Sequence, residues 1–209
     1  MAEAMTYNSL IDDVINYSER SDQPFTLQIP RLIMMAENRL ASEVKGLGHV
    51  RYATGELVPG EAVLVKPTRW RETTSLFLNI GGRAHFLNQR SYTFCRSYWP
   101  EASERSEPEY YADYDYEHML VAPTPDKVYP FELAYFERPL PLSEENQTNW
   151  TTRYAPQLLL YATLLEAQPF LKRSERIAEF QALYDRAVAA VGTESQRRMG
   201  GDQSLQRTV

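Results

Sequence analysis

The spacing of apolar side chains changes twice along the chain. In residues 6–20 they fall at Tyr7, Leu10, Ile11, Val14 and Ile15, the three-and-four spacing of one helical face. Either Thr6 or Ser9 fits the N-cap; with Ser9 there, Asp12 and Asp13 enter the first turn, where the helix dipole favours negative charge. The stretch 21–24, with its proline, breaks the pattern. A second stripe, Ile29, Leu32, Ile33, Ala36 and Leu40, predicts a helix over 29–44. Pro30 suits its first turn, and Gly46 and Gly48 follow its end.

Strand-like alternation takes over from about 49 to 142. Short runs at 50–58, 62–66 and 73–78 are punctuated by the turn pairs Pro59-Gly60 and Gly81-Gly82. Two longer strands are predicted at 110–121 and 128–136, joined by the proline-containing 122–126. Helical spacing returns after Asn149. Leu158, Leu159, Leu160, Tyr161, Leu164, Leu165 and Phe170 make 156–171 apolar almost all round, the mark of a central buried helix, with Trp150 part of the same core. Ile177, Phe180, Tyr184, Ala187, Val188 and Val191 form the stripe of a last helix. The predicted fold class is α+β. A four-helix bundle is formed by the N- and C-terminal helices (1–48 and 146–199), with an inserted antiparallel β module (49–145) and a flexible C-terminal tail (200–209).

Composition narrows the setting. A chain of 209 residues with 43% hydrophobic and 24% charged side chains builds its own core without metal or disulfide. The single cysteine, Cys95, allows no internal disulfide and fits assembly in a reducing cytoplasm. No apolar run reaches the roughly 18 residues of a membrane span, and the first residues lack a signal-peptide core. There are 14 tyrosines, a side chain suited to half-wet interfaces.

Net charge is −6, which argues against DNA binding by the whole surface. The charge is unevenly placed: residues 66–96 carry +5 and residues 101–117 carry −6. The two blocks could pair within the fold or head-to-tail between copies of the chain. Arg69, Trp70, Arg71 and Arg83 in the basic block, and Asp113 and Asp115 in the acidic one, are therefore interface candidates. Arginine mixed with aromatics in 66–96 also supports a rival reading, a nucleic-acid-binding module that stacks bases.

Catalytic chemistry is thin. His49, His85 and His118 lie far apart without metal-ligand spacing, and the chain holds no phosphate loop and no nucleophile elbow. Asp113, Asp115 and His118 could form a hydrolytic or metal site. On a single strand, however, Asp113 and Asp115 share a solvated face opposite Tyr114, Tyr116 and His118. Cys95 reads as a packed thiol. The expectation is no enzyme, no catalytic residue and no cofactor.

Ordered blocks along the chain resemble a known family. They are IPRLIMMAE at 29–37, PEYYADYDY at 108–116, APTP at 122–125, YPFELAYFERP at 129–139, Asn149-Trp150, APQLLLYATLLEAQPFL at 155–171, and the helix at 175–188. Together they resemble the head-to-tail adaptor (connector) proteins of tailed phages, similar to the tail tubular or gatekeeper proteins of short-tailed phages. The resemblance implies a structural virion protein at the head–tail junction, assembled in the host cytoplasm. It further implies a homo-oligomeric ring, dodecameric, that joins the portal protein to a downstream tail or nozzle protein and lets double-stranded DNA pass, with no membrane partner. It also implies portal docking through the C-terminal end, where Arg197, Arg198, Leu205 and Arg207 become contact candidates.

Overall fold

The computed structural model describes residues 4–44 and 47–199. Its helices are α1 (Tyr7–Ser18), α2 (Gln23–Thr26), α3 (Ile29–Glu43), α4 (Tyr92–Tyr98), α5 (Trp150–Tyr154), α6 (Pro156–Leu171) and α7 (Ile177–Met199). Its strands are β1 (Val50–Leu57), β2 (Val63–Val65), β3 (Trp70–Ile80), β4 (Arg83–Phe86), β5 (Asn88–Gln89), β6 (Arg105–Ser106), β7 (Tyr110–Asp113), β8 (His118–Ala122), β9 (Thr124–Pro125) and β10 (Tyr129–Glu137). Two compact units result, Met1–His49 with Pro139–Val209, and Val50–Arg138. The predicted tail at 200–209, with Leu205 and Arg207, lies outside the described residues.

The first unit is built around α6. Thr6, not Ser9, is the N-cap of α1: its hydroxyl accepts the Ser9 N–H at 3.1 Å, and the Ser9 side chain returns the bond to the Thr6 backbone. Helices α1, α3, α5 and α7 all pack on α6. Leu158, Leu159, Leu164 and Ala167 are buried there with Leu10, Val14, Ile33, Phe180 and Tyr184. Two buried polar side chains on α6 donate to its own backbone. Thr163 donates to the Leu159 carbonyl at 2.8 Å and Gln168 to the Leu164 carbonyl at 2.9 Å. Arg39 on α3 donates to Glu166 on α6 at 2.7 Å.

The predicted four-helix bundle with an inserted antiparallel module is not what forms, although the fold is mixed α+β. A bundle needs helices with one apolar stripe each, facing a shared axis. Helix α6 has no polar side to turn outward, so it becomes a hub that neighbours surround, with the short α2 and α5 among the helices of this unit.

The second unit departs from a simple antiparallel module too. One sheet has the order β1-β10-β3-β4 and a second β2-β8-β7-β5. Their facing sides share a core of Leu76, Leu78, Phe131 and Leu133 from the first and Tyr111, Met119 and Val121 from the second. Two pairings, β5 with β7 and β6 with β9, are parallel. The expected long strand at 110–121 is a hairpin, β7 and β8. Asp115 turns it by accepting the backbone N–H groups of Glu117 (2.7 Å) and His118 (2.8 Å). Helix α4, not read from the sequence, is capped by Ser91, which accepts the Phe94 N–H at 3.2 Å. It lies on the outer face of the second sheet, where its buried Cys95 packs with Ala112, Leu120 and Ala122. This unit is thus three layers: α4, sheet, sheet.

Candidate interaction surfaces

The basic and acidic blocks meet inside the second unit. Lys66, with its side chain 3% exposed, sits 2.8 Å from Asp113 and donates to the Asp115 carbonyl at 2.8 Å. Its ammonium also lies 3.8 Å from the centre of the Trp70 ring. A buried cation is tolerable only when paired in this way. A second contact between the blocks joins His85 and Glu107 at 3.4 Å.

Arg69, Trp70 and Lys66 line one cleft of about 360 Å³, with Tyr116 and Arg138 on its rim. Arg69 takes a left-handed backbone, φ 60, and reaches Glu137 at 2.7 Å. Such a conformation costs a non-glycine residue on the order of 1 kcal/mol. Trp70 is half-buried and donates its indole N–H to Thr73 at 3.1 Å. Arg138 donates to the Tyr116 hydroxyl at 2.7 Å. Arg71 is half-buried, and burial lowers its guanidinium from the ordinary value. Arg83 stands apart from this group, exposed beyond the Gly81-Gly82 turn, where both glycines have positive φ (58 and 78). Arg197 is exposed on α7 and Arg198 follows it on the same helix.

The hydrolytic alternative loses its geometry. Asp113 is turned to Lys66, and Asp115 is consumed by the hairpin and by the His118 ring at 2.9 Å. Desolvation pushes the Asp115 carboxyl upward, but its hydrogen bonds to Glu117 and His118 outweigh this and hold it below the ordinary range, in the anionic form a turn acceptor needs. Among the described residues no group of three or more His, Cys, Asp or Glu could hold a metal ion. Cys95 is buried, and burial raises its thiol, the opposite of what a nucleophile requires.

The sequence reading missed an aromatic surface around α4. Phe94 and Tyr98 stack with ring centres 5.6 Å apart, and Tyr110 meets both edge-on at 5.3 Å. Tyr92 contacts Tyr114 at 5.7 Å. Arg90 lies over Phe94 and Tyr110, and Arg96 over Tyr92. The available signal was Ser91 as a cap, followed by apolar or aromatic side chains at 92, 94, 95, 98 and 99.

Arginine, tyrosine and tryptophan set in exposed patches are the composition of protein contact surfaces, not of a catalytic pocket. The model of the SU10 adaptor protein family matches residues 5–207. The chain belongs to this family. The resemblance read from the sequence blocks is thereby borne out: this is a structural phage protein of the head-to-tail adaptor class. A search of curated proteins returns no match. For an adaptor, clefts and aromatic patches are read as surfaces for other proteins. Among the described residues no helix is long and apolar enough to cross a membrane.

Proposed function

We propose that this adaptor assembles as a closed ring of about twelve copies at the head–tail junction of the virion, joins the portal protein above to a tail or nozzle protein below, and leaves a central passage for double-stranded DNA. Assembly takes place in the host cytoplasm before the ring docks. The family match over nearly the whole chain carries the reading. Surfaces of the second unit, including Arg69, Trp70, Arg71, Arg83, Asp113 and Asp115, take part in contacts with neighbouring proteins. The C-terminal segment, with Arg197, Arg198, Leu205 and Arg207, serves as the portal-docking arm. Each arm binds weakly, and a ring of identical arms gives firm attachment by multivalency.

The test is electron microscopy of the purified protein alone and mixed with portal rings. A closed ring that stacks on the portal is the expected image; monomers in both samples would refute the reading. Deleting residues 193–209 should abolish attachment while the truncated chain keeps its circular-dichroism spectrum. Attachment at wild-type strength would refute the docking arm alone.

A further inference from the structure

The second unit exposes aromatic side chains on both of its outer layers, with Arg90 and Arg96 over the rings of one and Glu56 and Glu132 beside those of the other. On one side, Tyr92, Phe94, Tyr98 and Tyr114 around α4 are between 37% and 48% exposed. Arg90 and Arg96 lie over these rings, and among the described residues neither has a carboxylate within ion-pair reach. Glu109 lies beside Tyr110 at the edge of this face, and Glu101 and Glu104 come after Trp99, beyond the C-terminal end of the helix.

On the other side lies the outward face of the sheet β1-β10-β3-β4. Strand alternation sends Leu76 and Leu78 to the core and Phe77 outward, and the register aligns Thr54, Glu132, Phe77 and Phe86 in one row across the four strands. Phe77 and Phe86 pack edge to face at 5.3 Å. Phe86 is 51% exposed and Tyr52, on the same face, 69%. Glu56 and Glu132 are exposed on this face, and among the described residues neither is ion-paired.

Exposed aromatics cost solvation free energy, and a contiguous patch of them marks a contact site. The two patches differ in composition and in sign. A surface that pairs with itself around a two-fold axis would need one self-complementary patch; two different, complementary patches on opposite layers suit a heterologous contact, which generates a ring when the rotation between copies closes.

We infer that the α4 face of one copy docks on the outward face of the β1-β10-β3-β4 sheet of the next, with Arg90 and Arg96 opposite Glu56 and Glu132. The inference rests on the ring reading above and names the surfaces that make the ring. The rings supply the desolvated contact area, and the charges fix its orientation and exclude like-with-like pairing.

Charge reversal tests it. R90E/R96E and E56K/E132K each place like charges at the contact, and each should raise the concentration needed for assembly on the order of tenfold or more. Sedimentation velocity and negative-stain images would report this. Arg90, Glu56 and Glu132 are exposed and Arg96 is half-buried, so circular dichroism of each variant checks that the fold is kept. Combining the four reversals in one chain restores opposite charges at every contact and should return the ring, as should an equal mixture of the two double variants.

Wild-type assembly by both double variants overturns the inference while leaving the ring reading intact. Loss of assembly that the combined variant does not recover overturns the pairing of these two faces. A wild-type chain that stays monomeric at every concentration and with portal rings overturns the ring reading and this inference together. If R90E/R96E keeps the ring but loses affinity for a labelled single-stranded oligonucleotide that the wild type binds, the α4 face is a nucleic-acid surface instead.

Discussion

Glu37 offers a test of the helical unit that does not depend on assembly. Its carboxylate lies on α3 and holds the segment that follows the β layers: it accepts the Leu142 backbone N–H at 3.1 Å and the Asn149 side-chain amide at 2.8 Å. Burial raises its pKa from 4.5 to about 7, against the opposing pull of these two donors. Between those two values the folded chain keeps a proton that the unfolded chain has released. Stability is therefore greatest below about 4.5 and falls as pH rises to about 7. The gap corresponds to about 3 kcal/mol at about 1.4 kcal/mol for each pH unit, and the partial solvent contact of the side chain reduces this to about 2 kcal/mol. Glu37→Gln keeps an acceptor oxygen and removes the charge. The variant should gain about 2 kcal/mol relative to wild type between pH 4.5 and 7.5, in the direction set by the raised carboxyl. Guanidinium unfolding of both proteins across that range measures the difference, which cancels the titration of the histidines. A difference that does not vary with pH, or a variant that loses ground as pH rises, would refute a buried, proton-holding carboxyl.

Leu164→Ala should cost about 3–5 kcal/mol and Leu160→Ala about 2–4 kcal/mol, since both side chains are buried on the hub helix and leave a cavity; urea unfolding showing under about 1 kcal/mol for both would mean that α6 is not the core. Gly48→Ala would place a methyl group 1.9 Å from the Trp150 indole nitrogen. The ring has to shift, so a loss of about 1–3 kcal/mol and a change in tryptophan fluorescence are expected; an unperturbed spectrum and melt would count against this packing.

Much of the local structure was legible because it is set by neighbours in sequence. The stripes of α1, α3, α6 and α7 are written in the apolar spacing, and the turns at Pro59-Gly60 and Gly81-Gly82 are set by residue type. The all-apolar character of α6 was also visible. Its consequence, a hub in place of a four-helix bundle, depends on which helices reach it, and periodicity does not encode that. The reading of 110–121 as one strand failed at Asp115. The alternation runs on through the turn, and only the hydrogen bonds from Glu117 and His118 reveal the reversal. Helix α4 escaped because seven residues are too few to establish a helical period.

The sequence by itself determined the four long helices, the strands β1, β2, β3 and β10, the single thiol, the charge blocks and the family blocks. Each of these is a property of residue type and near-neighbour spacing. Tertiary structure alone decided that Lys66 buries its ammonium against Asp113 and Trp70, that Glu37 is held beside Leu142 and Asn149, and that Arg90 and Arg96 stand on the layer opposite Glu56 and Glu132. These are facts of long-range register and burial. A charge's environment depends on chain segments 49 to 112 residues away, as for Lys66 with Asp115 and Glu37 with Asn149, and no local pattern records that distance.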